Sequence, residues 1–91
     1  MTKQDQFTKY DQEHPEVYRY LLTLCRNVKE RGFTRYAISP LVELVRWHFR
    51  IERGENEFKI QNDFKPWYAR KIAQENPEFA EFFSFRPIRS N

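Results

Sequence analysis

The sequence predicts one mainly helical α+β domain, laid out like a winged helix with three main helices and a small accessory β-sheet. Three observations lead to this fold class. The chain has 91 residues, enough for one core but too few for two independent ones. It contains only two glycines, which is little material for the turns of an all-β sandwich. Aromatic residues make up 18% of it, so a folded chain is expected although 32% of its residues are charged.

The first predicted helix covers residues 15–31. Its apolar residues recur every three or four positions, which is the spacing of one buried helix face. Pro15 suits the first turn of a helix, and Gly32 marks the stop. The residues that we expect in the core are Val17, Tyr20, Leu21, Leu24, Cys25 and Val28.

A short strand or extended connector is predicted at 33–38, and the second helix follows it. Ser39 has the chemistry of an N-cap, and Pro40 fits the first helical position. We expect this helix to end near Ile51. Its predicted core face consists of Leu41, Leu44, Val45, His48 and Phe49.

The segment 49–61 is open to two interpretations. Apolar and polar residues alternate on both sides of Gly54, a pattern typical of a β-hairpin. The interpretation that we favour is a helix that ends before a turn at Gly54, followed by a strand near 58–60.

The third helix begins after Asn62-Asp63, which can cap it, and ends at Asn76-Pro77. Phe64, Tyr68 and Ile72 form its predicted buried line. A short helical turn at 77–83 and a closing strand at 83–88 complete the prediction. The whole chain, 1–91, is expected to be one domain, with a flexible polar segment at 1–6 and a flexible basic tail at 86–91.

Composition argues against several classes of protein. The net charge is a mild +3, and no apolar run approaches the ~20 residues of a membrane span. Cys25 is the only cysteine, so we expect a buried thiol in a reducing, cytoplasmic compartment and no internal disulfide. Two histidines and scattered acids suggest neither a metal site nor a catalytic set. We therefore expect no cofactor and no enzymatic activity.

The segment 64–74 carries the strongest functional signal. It holds three cations and three aromatic residues but no acid, a combination typical of nucleic-acid surfaces. The residues predicted to dock at a DNA groove are Lys65, Trp67, Arg70, Lys71 and Gln74. The residues predicted to lie on flanking phosphates are Arg46, Arg50, Arg53, Arg86 and Arg89.

Both groups have a structural alternative. Trp67 and Tyr68 would then pack in the core, and Arg70 and Lys71 would form an ordinary solvated face. The arginines of the second helix would pair with nearby acids instead of with phosphate. The candidate partners for these arginines are Glu43, Glu52 and Glu57.

Several short motifs together resemble a group of small proteins encoded in bacterial and phage genomes. The motifs are Arg46-Trp47-His48, Phe58-Lys59-Ile60-Gln61-Asn62, Trp67-Tyr68-Ala69-Arg70-Lys71, Asn76-Pro77-Glu78-Phe79, Phe82-Phe83 and Arg86. The resemblance covers residues 38–89. It implies a context rather than an activity, because it assigns no role to any residue.

The sequence thus favours a non-enzymatic DNA-binding protein, and the resemblance implies that it would be a phage or prophage transcriptional regulator. The alternative is a module that binds a bacterial host protein through the same aromatic and arginine-rich surface. Neither interpretation involves a membrane, and both leave a homodimer open.

Overall fold

Four α-helices make up most of the structure, a computed structural model that describes residues 2–83. Helix α1 is Lys3–Glu13, α2 is Pro15–Glu30, α3 is Ile38–Trp47 and α4 is Lys65–Glu75. A π-helical turn, His48–Glu52, extends α3. Single 3₁₀ turns, Asn62–Phe64 and Pro77–Phe79, stand before and after α4.

The predicted α+β fold class is wrong, because residues 2–83 contain no β-strand. The winged-helix layout, which requires a small sheet, is wrong with it. Residues 33–38 were predicted as a short strand or an extended connector, and they form an irregular connector up to the start of α3 at Ile38. The strand predicted near 58–60 is wrong, because this segment is irregular as well. The closing strand predicted at 83–88 lies outside the described residues from position 84 onward.

In place of the predicted sheet, side-chain hydrogen bonds and an isolated backbone hydrogen bond hold the two connectors. In the first connector, the backbone N–H of Tyr36 donates to the carbonyl of Phe82 at 3.0 Å, and no second backbone bond joins these two segments within residues 2–83. In the second connector, arginine side chains from α3 and its π-helical turn donate to the carbonyls of Phe58 and Ile60. Buried or half-buried backbone groups need a partner, and here the partner is not another strand.

Helix α1 was not predicted. Thr2 caps it: its hydroxyl accepts from the backbone N–H of Asp5 at 3.1 Å, and the Asp5 carboxylate accepts from the backbone N–H of Thr2 at 3.3 Å. The polar start of the chain therefore leads directly into a helix. Phe7 is the buried residue of α1, and its ring lies edge-on against Phe64 and Tyr68.

The three predicted helices are confirmed, with their ends close to the expected positions. Pro15 opens α2, and Gly32 follows its end with a φ of +98°, a conformation that favours glycine. Gly54 has a φ of +72° in the turn after the π-helical segment. The start and end signals in the sequence were therefore sufficient for α2, α3 and α4, although not for α1 or the connectors.

The core joins residues from all four helices and from the short turns. Its buried members are Phe7, Val17, Leu21, Cys25, Leu41, Val42, Val45, Phe49, Ile60, Phe64, Tyr68, Ala69, Ile72, Phe79, Phe82 and Phe83. The predicted buried line of α4 is confirmed. On α3 the prediction is partly wrong, because Val42 is buried and Leu44 is half exposed. Helix α3 packs against both α2 and α4, which rotates its buried face from Leu44 toward Val42.

Neither a membrane-spanning helix nor a cluster of metal ligands is present within residues 2–83. No helix within residues 2–83 has both the length and the apolar character needed to cross a membrane. In the same part of the chain, no group of three histidine, cysteine or acidic residues is arranged to hold a metal ion.

Candidate functional site

Helix α4 divides its predicted DNA-binding residues between two sides. Successive residues of an α-helix are rotated by about 100°, so Lys65 and Trp67 lie about 160° apart around the axis. Lys65 turns toward α3, where its Nζ lies 3.8 Å from a carboxylate oxygen of Glu43. The remaining residues, Trp67, Arg70, Lys71 and Gln74, line a groove on the opposite side, next to α1.

This α1–α4 groove has a volume of about 380 Å³. The Phe7 and Trp67 rings stack in it with centroids 6.5 Å apart, and the Arg70 guanidinium lies over the Trp67 ring at 5.0 Å. A nucleic-acid base that stacked on Trp67 would have to compete with these contacts. The other lining residues are Gln4, Thr8, Asp11, Gln12, Lys71 and Gln74.

Lys71 is held by the protein itself. Its ammonium forms an ion pair with Asp11 of α1 and lies 4.1 Å from the ring centroid of Tyr18 on α2. The Lys71 side chain is 26% exposed and that of Asp11 only 13%. Lys71 thus joins α4 to α1 and α2, and a phosphate could recruit it only by breaking this pair.

The predicted arginine line on α3 also makes contacts within the chain. Arg46, whose side chain is 17% exposed, forms an ion pair with Glu43 and donates to the Asn62 side chain at 2.8 Å. Its guanidinium also donates to the carbonyl of Ile60. The structural alternative predicted Glu43 as a partner of these arginines, and that pairing is confirmed.

The next two arginines make other contacts than the acids predicted for them. Arg50 Nε donates to the carbonyl of Phe58 at 2.6 Å. Arg53 pairs with Glu55 at 3.0 Å and lies over the ring of Phe49 at 5.1 Å. These contacts fasten the connector to the end of α3. The remaining two candidates, Arg86 and Arg89, lie outside the described residues.

The two predicted groups meet at one point. Lys65 and Arg46 both contact Glu43, so the start of α4 adjoins the arginine line. The side chains of the α1–α4 groove lie on the other side of α4. Within residues 2–83, the predicted cations therefore do not form one continuous face.

A surface that the sequence analysis missed lies on α3 and its π-helical turn. Leu44, Trp47 and Ile51 are exposed by 50%, 58% and 59%. They are three and then four residues apart, which places them on one side of the helix. We call these three residues the α3 stripe. The signal was present in the sequence, because this helix has more large apolar residues than one buried face can hold.

The α3 stripe is bordered by a stacked pair. His48 lies parallel to Tyr20 of α2, with ring centroids 3.9 Å apart, and its Nδ1 is 2.9 Å from a carboxylate oxygen of Glu52. Burial raises the pKa of the Tyr20 hydroxyl, and the nearby Glu52 carboxylate adds to the effect. These contacts fix the helix against α2, so the stripe is presented on a rigid support.

Two other tyrosines connect helices to neighbouring segments. The Tyr10 hydroxyl donates to the carbonyl of Lys59 at 2.6 Å, and the Tyr18 hydroxyl donates to Glu75 at 3.0 Å. Burial raises the pKa of both hydroxyls to about 12. Tyr68 is fully buried, and burial raises its pKa as well. All three hydroxyls therefore stay protonated at neutral pH.

Cys25 is a core residue, as predicted. It is fully buried, and burial raises the pKa of its thiol to about 12. A thiol with such a pKa is neutral at physiological pH, so it lacks the thiolate that a cysteine nucleophile needs.

Comparison of the chain with protein-family models, curated proteins and solved structures gives no match. The resemblance to small bacterial and phage-encoded proteins stays an expectation. The functional interpretation therefore depends on the surfaces described above.

Proposed function

We propose that this protein is a non-enzymatic interaction module that binds another protein through the α3 stripe. The observation that carries the proposal is the exposure of Leu44, Trp47 and Ile51, each half or more, on one side of one helix. Clustered exposed apolar side chains on a folded domain are typical of interaction sites. Tryptophan is also one of the residues that most often dominates the free energy of binding.

The spacing of the stripe suggests how the partner is recognised. Apolar anchors at i, i+3 and i+7 are typical of a helix that docks in an apolar groove. Arg50 is exposed and flanks the stripe, with only its Nε engaged by the Phe58 carbonyl among the described residues. The partner that fits is a protein with an apolar pocket for Trp47 and an acidic residue on the rim near Arg50.

The size of the stripe favours this partner over a second copy of the chain. A standard stable interface buries about 800 Å² on each partner, and three half-exposed side chains supply well under that on a flat surface. A partner pocket that surrounds Trp47 also buries the polar surface next to the stripe, which adds to the interface area. A symmetric contact between two α3 helices buries little beyond the stripe itself.

DNA binding stays a prediction, and the geometry supports it less well. Four of its candidate residues, Arg46, Arg53, Lys65 and Lys71, already contact acidic side chains. A gel-shift series with genomic DNA at rising salt checks it, because each phosphate contact contributes a slope of about −0.9 to the logarithmic salt dependence. Absence of retention at low salt contradicts it.

The proposed function can be tested by site-specific crosslinking. A photo-reactive phenylalanine analogue replaces Trp47, or in a control Thr23, and the protein is expressed in bacterial cytoplasm. Thr23 is exposed on α2 and is not part of the stripe. We expect one discrete protein to be captured from position 47 and not from position 23, and that protein is then purified for binding measurements.

Calorimetry with the purified partner decides the outcome. Trp47→Ala should weaken binding by about 30-fold or more, the factor that corresponds to a hot-spot residue worth ~2 kcal/mol. Phe33→Ala is the matched control, because Phe33 is an aromatic residue exposed by 51% but lies outside the stripe. Equal weakening by both variants, or none by either, contradicts the proposal. The melting temperature should stay unchanged in Trp47→Ala, because this side chain is largely exposed.

A further inference from the structure

The α1–α4 groove combines an aromatic floor with polar walls. Phe7 and Trp67 form the floor, and Phe7 also contacts the buried ring of Tyr68. The walls carry three side-chain amides, one hydroxyl and three charged groups. These wall residues are Gln4, Thr8, Asp11, Gln12, Arg70, Lys71 and Gln74.

The charges of the groove leave one cation available to a ligand. Lys71 and Asp11 form an ion pair and neutralise each other. Arg70 has no ion pair or side-chain hydrogen bond with any residue of the described part, 2–83, and lies over Trp67 at 5.0 Å. A guanidinium held over an indole ring presents its planar N–H groups in a restricted orientation, and these groups match a carboxylate in bidentate geometry.

The remaining wall residues favour a peptide as the source of that carboxylate. Gln4, Gln12 and Gln74 each offer a donor and an acceptor, as required by the alternating N–H and C=O groups of a peptide backbone. Nucleic-acid phosphates only accept hydrogen bonds, so they would leave the acceptor oxygens of these three amides without a donor. The aromatic floor suits an apolar side chain next to the acidic one.

We infer that the α1–α4 groove is a second binding site, which takes a short acidic peptide segment with its carboxylate on Arg70 and a neighbouring apolar side chain at the Trp67 edge of the aromatic floor. The inference does not depend on the α3 stripe. Each site is tested by its own variants, so failure of one leaves the other standing.

The test uses small peptides as probes and the indole N–H of Trp67 as the reporter. Two-dimensional ¹H–¹⁵N NMR spectra are recorded on the full chain with the substitution Trp47→Phe, which leaves Trp67 as the only tryptophan. The probes are acetyl-leucyl-glutamate amide, its glutamine counterpart and inorganic phosphate. We expect the glutamate peptide to shift the Trp67 resonance at millimolar concentration, and the glutamine peptide to bind about tenfold more weakly because it lacks the charged partner.

Variants at Arg70 separate the proposed contact from general effects. Arg70→Met should abolish the response to the glutamate peptide, and Arg70→Lys should weaken it, since lysine lacks the planar fork. Arg53→Met is the control, because Arg53 also lies over an aromatic ring, that of Phe49, but on another surface. No shift with the glutamate peptide, an equal response to the glutamine peptide, or an unchanged response in Arg70→Met overturns the inference. Tighter binding of phosphate than of the glutamate peptide also overturns it.

Discussion

Lys71 illustrates how a single residue can be misinterpreted from sequence. Its place in an acid-free, aromatic segment predicts a phosphate contact, but its acidic partner is 60 positions away, in a helix that the sequence did not reveal. The ammonium is enclosed by Asp11 and by the ring of Tyr18. The Lys71 ammonium can pair either with a ligand phosphate or with an acidic residue of the protein. In the structure it pairs with Asp11.

We predict that Lys71→Met destabilises the fold by about 2 kcal/mol, because it leaves the nearly buried Asp11 carboxylate without a counter-charge. Urea unfolding followed by circular dichroism measures the change. Lys9→Met is the control, since the pair of Lys9 with Glu13 is exposed, 4.0 Å long and worth at most a few tenths of a kcal/mol. If both variants lose the same stability, the Asp11 pair is not a structural contact.

We also predict that Cys25 resists alkylation while the protein is folded. Its thiol is fully buried, with a pKa of about 12, so at pH 8 both access and thiolate are lacking. Mass spectrometry after treatment with iodoacetamide should show almost no modification in buffer and complete modification in guanidinium chloride. Equal rates in the two solutions would contradict a buried position.

At the scale of elements, the sequence was informative about helices α2, α3 and α4 and misleading about the segment 49–61. Helix signals are local: Pro15, Gly32, Pro66 and Asn76 mark starts and ends from within a few residues. The alternation in 49–61 is local too, but a strand also needs a neighbour with unpaired backbone groups. Here the carbonyls of the connector bond to arginine side chains, a long-range arrangement that no alternation pattern encodes.

The candidate site was predictable to a similar extent. The residues of the α1–α4 groove on α4 were identified, because helical spacing groups Trp67, Arg70 and Gln74 on one side. The opposing wall was missed together with α1, whose only buried residue is Phe7 and whose apolar pattern is therefore weak. The α3 stripe was missed because Leu44 was assigned to the core. The neighbours of α3 decide which of its two apolar faces is buried, and their positions are not encoded locally.

The contacts of Arg46 lead to a prediction about the second connector. Arg46→Met should cost about 1–2 kcal/mol, because the substitution leaves the carbonyl of Ile60 and the side chain of Asn62 without their donor. Hydrogen exchange should show faster exchange of backbone amides in 54–61. Arg26→Met, at an exposed position on α2, is the control and should change neither quantity. If Arg46→Met leaves the stability unchanged, the contacts of Arg46 within the chain are not structural, and its guanidinium is available to bind a ligand.

At the scale of the whole molecule, the predicted DNA-binding cations within residues 2–83 do not form one face, although the net charge of the chain is +3. These predicted cations are spread over the start of α4, the end of α3 and the α1–α4 groove, and four of them contact acids: Arg46, Arg53, Lys65 and Lys71. The large exposed apolar side chains, in contrast, are concentrated on α3. This distribution supports the proposed protein partner over the electrostatic attraction of a polyanion.

The buried hydroxyl and thiol groups make the whole fold sensitive to high pH. In the unfolded chain the thiol loses its proton near pH 9 and the tyrosines near pH 10, whereas in the fold Cys25, Tyr10 and Tyr18 keep theirs to about pH 12. Between these limits the folded state therefore binds more protons than the unfolded state. The free energy of unfolding has its full value below pH 9 and falls as the pH rises.

We predict a melting temperature that is constant between pH 7 and pH 8.5 and falls by roughly 5 °C or more by pH 11. That fall corresponds to about 1 kcal/mol or more, a value already reduced because Tyr10 and Tyr18 are partly exposed to solvent. The Tyr10→Phe variant should have a lower melting temperature at neutral pH, because it lacks the hydrogen bond to the Lys59 carbonyl. Its melting temperature should fall less steeply above pH 10, because one titrating group has been removed. Parallel curves for the two proteins would mean that Tyr10 does not contribute to the alkaline transition. A melting temperature that stays flat to pH 11 would contradict the burial of all three groups.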